Sequence, residues 1–76
     1  MNLAKTVSAL ILQARVMPDA KRAASLLEQR ARLFEGTPVR RWPQGVTAVD
    51  VNLAVSDLFR AARDLREEAG LRPLAA

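Results

Sequence analysis

The chain has 76 residues and 50% hydrophobic side chains, with 12 Lys+Arg against 8 Asp+Glu for a net charge of +4. It contains no Cys, His or Tyr. That excludes imidazole bases, thiolate nucleophiles, disulfides and His/Cys metal sites, and the length permits one domain with a thin core. Ten of the 12 basic residues are Arg, and the charge is unevenly spread. Residues 1–46 hold eight cations against Asp19, Glu28 and Glu35, whereas residues 47–70 are net acidic.

Three helices are predicted, at about 2–16, 19–35 and 48–69, with one loop at 36–46. In the first, Leu3, Val7, Leu10, Ala14 and Met17 step by four and three, forming one apolar stripe beside Ile11. A smaller stripe of Ala9, Leu12 and Val16 runs along the opposite side. Two apolar sides suit either a central helix or one that meets a partner.

Pro18 breaks the helix at Met17, and Asp19 suits the positive end of the next one. Ala20, Ala24, Leu27, Ala31 and Phe34 repeat the same stepping, Leu26 and Leu33 widen the apolar arc, and Gly36 is placed for a left-handed cap. Arg30 falls among apolar neighbours, so it either snorkels to water or pairs with a carboxylate.

The loop carries two Pro and two Gly and includes Arg40-Arg41-Trp42, a pair of cations beside the only Trp. Trp42 is expected either to cover the bundle end, packing on Val49 and Leu53, or to stand free as an interface anchor. Thr47 and Asp50 form a capping box, with Val46 placed to staple onto Val51. Ala48, Val51, Val55, Leu58, Ala62, Leu65 and Ala69 then step by three and four until Gly70 ends the third helix.

The fold class is therefore all-α, a small three-helix bundle with antiparallel neighbours in a single domain, which homodimerisation would complete. The pairs Glu28–Arg32, Arg60–Asp64 and Arg63–Glu67 have the i,i+4 spacing of solvated helix faces, and Arg66 or Arg72 is expected to offset Glu67 and Glu68. Asp50, Asp57 and Asp64, seven residues apart, make one acidic line along the apolar arc. That line either pairs internally with Arg15, Arg22 or Arg30, or forms a docking edge for a basic partner or a second subunit.

No nucleotide-binding glycine motif or acidic metal loop occurs, the serines have no base beside them, and no cofactor is expected. The reading is a non-enzymatic module that binds a protein partner, or its own copy, stoichiometrically as a regulator, adaptor or inhibitor. Its candidate binding residues are Leu12, Val16, Arg30, Arg40, Arg41, Trp42, Val49 and Leu53, with Asp50, Asp57 and Asp64 as the acidic edge. The alternative is a small basic nucleic-acid-binding protein using helix two and the Arg40–Trp42 loop. No apolar run is long enough to span a bilayer, so no membrane partner is expected and the cytoplasm is the expected compartment.

Overall fold

The computed structural model describes residues 3–71, which form α1 (Leu3–Arg15), α2 (Ala20–Gly36), a 3-10 turn (Val39–Arg41) and α3 (Ala48–Leu71). Among the described residues there is no strand.

The starts of α2 and α3 each have a local cause. Asp19 is the N-cap of α2, its Oδ1 accepting from the Arg22 backbone N–H at 3.1 Å, and Pro18 directly precedes that cap. At α3 the capping box is reciprocal: the Asp50 N–H donates to Thr47 Oγ1 at 3.2 Å, and the Thr47 N–H donates to Asp50 Oδ2 at 3.0 Å. Asp50 is short for this role, but one fewer methylene still spans the gap.

The helix ends differ from expectation. Gly36 is the last residue of α2 and does not adopt a left-handed conformation. Thr37 closes the helix instead: its hydroxyl donates to the Leu33 carbonyl at 2.6 Å and its N–H to the Phe34 carbonyl at 3.3 Å. Those bonds satisfy carbonyls that a glycine cap would otherwise reach. Gly70 likewise does not stop α3, which continues to Leu71. The glycine that does need its freedom is Gly45, with φ +86 in the turn where the Val46 N–H bonds the Pro43 carbonyl at 3.1 Å.

The core is built mainly between α2 and α3, which run antiparallel. Leu27 and Leu58 are fully buried, set among Ala23, Ala24, Ala31 and Ala62, whose short side chains permit close helix approach. Ala54 and Ala61 are also buried, widening the predicted stripe of α3 toward α1, while Ala48 at its start is exposed. On α2, Leu26 is half-buried and Leu33 exposed.

The first helix is attached more lightly. Leu3, Val7 and Ala14 are its buried residues, with Leu10, Ile11 and Met17 partly buried against the core. It runs parallel to α3: Leu3 and Val7 share a cleft with Asp50 and Asp57, whereas Arg15 shares one with Asp64 and Glu68. Its second stripe is not covered. Leu12 is 66% and Val16 82% exposed, so α1 is packed on one side and bare on the other.

Candidate interaction surface

The acidic line falls on the seam between α1 and α3. Asp50 and Asp57 border a cleft of about 410 Å³ whose walls include Leu3, Val7, Leu53 and Ala54. Farther along the seam, Arg15 and Asp64 line a second depression of about 220 Å³ with Ala61 and Leu65. None of the three aspartates forms an ion pair within the described residues, so pairing to Arg15, Arg22 or Arg30 does not occur. Seven residues of helix separate successive carboxylates by roughly 10 Å, close to the screening length at physiological salt. They repel one another weakly and together present a negative rim over apolar walls.

Arg30 lies on α2, away from that rim. It is exposed and makes no ion pair among the described residues, which corresponds to the snorkelling alternative. The interhelical ion pair is made by Arg66. Its guanidinium grips Glu28 through both carboxylate oxygens, with Nη2–Oε1 at 2.9 Å, and Nη2 also lies 3.4 Å from Ser25 Oγ. Hydrogen bonding to Arg66 holds the Glu28 carboxyl below its ordinary pKa, with desolvation opposing and Arg32 adding a smaller attraction. The same bond raises the Arg66 guanidinium.

Two expectations are thereby corrected. Glu28 turns to α3 instead of pairing with Arg32, because a bidentate fork on a facing helix outcompetes a single flexible contact along one helix. Arg66, committed to Glu28, does not offset Glu67 and Glu68; Glu67 meets Arg63 at 4.0 Å, as its spacing predicts. The Arg60–Asp64 pair is not formed among the described residues, and the role expected of Arg72 lies outside them.

Trp42 folds back onto the bundle. Its Nε1–H donates to the Thr37 carbonyl at 3.1 Å, and its half-buried ring packs against the core. It lines a depression with Phe34, Val51 and Val55, on the α2 side of α3. The expected contact with Val49 and Leu53 is not made: they stay 65% and 58% exposed on the other flank of α3. Loop length decides this, since the 3-10 turn at Val39–Arg41 delivers the indole next to the end of α2 it has just left. Arg40 and Arg41 remain exposed beside it, without an ion pair among the described residues.

The sequence-derived binding residues therefore do not converge on one site. Leu12 and Val16 lie on the outer side of α1, Leu53, Asp50, Asp57 and Asp64 along the α1–α3 seam, Arg30 on α2, and Arg40 and Arg41 at the loop end. Among the described residues, no helix is long and apolar enough to cross a membrane and no acidic cluster is arranged to hold a metal. No known family model, curated protein or solved structure matched the chain.

Proposed function

We propose that this chain is a non-enzymatic helical module that acts by stoichiometric binding to another protein. The observation that carries the reading is the bare side of α1. Leu12 and Val16 project away from the core at 66% and 82% exposure, on a helix whose other side lines a cleft with apolar walls and an acidic rim. An exposed apolar stripe next to an ordered charged edge has the composition of an interface centre with a polar rim. Catalysis has no part in this reading, since the chain has no imidazole or thiol and so no imidazole to activate its serines.

Capture from a lysate of the source cell tests the reading. A tagged chain should retain a protein that Leu12→Lys loses and Arg40→Ala/Arg41→Ala keeps. A second reading, nucleic-acid binding, draws on Arg40 and Arg41, which are exposed and unpaired among the described residues. It is weakened because the Trp42 ring, packed against the core, is no free stacking platform. A mobility shift at about 50 mM salt that disappears with the two arginines would replace the protein-binding reading.

A further inference from the structure

The walls of the cleft between α1 and α3 are aliphatic, with Leu3, Ala4 and Val7 on α1 and Leu53 and Ala54 on α3. Along the α3 wall, Asp50, Leu53 and Asp57 succeed one another at i, i+3 and i+7, so two acids and the leucine between them share one edge. Neither aspartate has a cationic partner among the described residues. One oxygen of Asp50 takes the Thr47 N–H of the capping box, and the Asp57 carboxylate accepts no hydrogen bond from the described residues. We propose that this cleft receives an amphipathic helix of another protein, carrying two Lys or Arg residues seven positions apart with an aliphatic residue midway between them. The proposal deepens the interaction-module reading, on which it rests, by giving the partner's chemistry.

Charge selects the class of partner. Residues 47–70 are net acidic, and the two unpaired carboxylates stand exposed at the edge of the cleft. A basic segment is drawn to that edge and a polyanion is turned away from it.

Spacing selects the partner's backbone. Asp50 and Asp57 are about 10 Å apart along α3, and a second helix repeats a side chain on one side at the same interval. On an extended strand, residues of one side are about 6.6 or about 13 Å apart, so a strand that meets one carboxylate misses the other by about 3 Å. Shape agrees with the helix. The cleft, at about 410 Å³, takes a ridge of side chains while the helix that bears them lies along its mouth. Leu53, 58% exposed, meets the aliphatic residue between the two cations, and Ala4 is short enough to let the backbone approach from the α1 side. Because α1 and α3 run parallel, an added helix beside both turns three helices into four.

Anisotropy of a labelled synthetic peptide tests this. The probe is an alanine-based helical peptide of about 18 residues, bearing two lysines seven positions apart with leucine midway between them. One control peptide moves the lysines to the opposite side of the helix, and another replaces them with glutamates. At about 50 mM salt the native chain should bind the lysine peptide about tenfold or more tightly than either control. Asp57→Asn should weaken that binding by about tenfold, Leu53→Ala should weaken it as well, and Asp57→Lys should reverse the preference toward the glutamate peptide. Melts of the two Asp57 variants should stay close to native, since Asp57 is exposed and unpaired among the described residues. Absence of binding, equal affinity for the three peptides, or an Asp57→Lys chain that keeps the native preference would each overturn the proposal. A chain that fails with the peptide but still captures a Leu12-dependent protein would remove the cleft as the docking site and leave the interaction reading standing; failure of both would remove the reading as well.

Discussion

Arg66 near the end of α3 and Glu28 at the middle of α2 form a bidentate ion pair that ties the two core helices together, with Ser25 beside it. The pair makes stability depend on pH in a calculable direction. Glu28 has a lowered pKa in the folded state, so its contribution is complete above the unfolded carboxyl value and is lost as pH falls through the lower native one. Urea melts at about pH 7 and about pH 3 should show a smaller acid loss for Glu28→Gln than for the native chain. Equal losses in both would mean that Glu28 does not contribute through Arg66.

Leu58 of α3 and Leu27 of α2 are the large side chains with no exposed surface, and both belong to the one hydrophobic core. Truncation leaves a cavity that the surrounding alanines are too short to fill. Leu58→Ala should destabilise by about 2–5 kcal/mol in a denaturant melt, a large fraction of the total for a domain of this size. Leu12→Ala, on the bare side of α1, should change monomer stability by less than about 0.5 kcal/mol.

The Thr47–Asp50 box is exposed and local, so its strength can be read without disturbing the core. Thr47→Ala should lower stability by about 1 kcal/mol and speed amide exchange in the first turn of α3. Unchanged exchange at the Asp50 amide would show that the hydroxyl does not hold it.

Trp42 emission should be blue-shifted and protected from acrylamide, because the ring packs on the core and its N–H is bonded to Thr37. Trp42→Phe keeps most of the apolar contact and removes the donor, which should loosen residues 37–46 with little effect on the α2–α3 core. A red, fully quenched spectrum in the native chain would place the indole in solvent.

Arg30→Ala should shift stability by no more than about 0.5 kcal/mol, since Arg30 is exposed and has no carboxylate partner among the described residues. A loss of several kcal/mol in a melt would reveal a buried pair.

The features legible before the structure are those set within one or two turns of helix. Asp19, Thr47 and Asp50 act on amides three residues away, and the three-four stepping of Leu27, Leu58 and their neighbours follows from helical geometry alone. The acidic line was visible for the same reason, as seven residues return a side chain to one side of a helix. Where intrahelical spacing competed with a facing helix, it misled: Glu28 has Arg32 four residues away and chooses Arg66, 38 residues away, because α3 presents a guanidinium that meets both carboxylate oxygens at once.

Composition and periodicity thus determined that this is a three-helix chain with its second and third helices capped at their starts, no imidazole or thiol chemistry and a segregated charge. Which flank each residue occupies was decided only by tertiary packing. Antiparallel docking of α2 on α3 turns Trp42 toward Phe34 and away from Leu53, and leaves α1 to lie along the acidic edge with Leu12 outward. The reason is geometric: periodicity specifies angles around each helix axis, whereas the rotation and level of one helix against another depend on which side chains fit together between them.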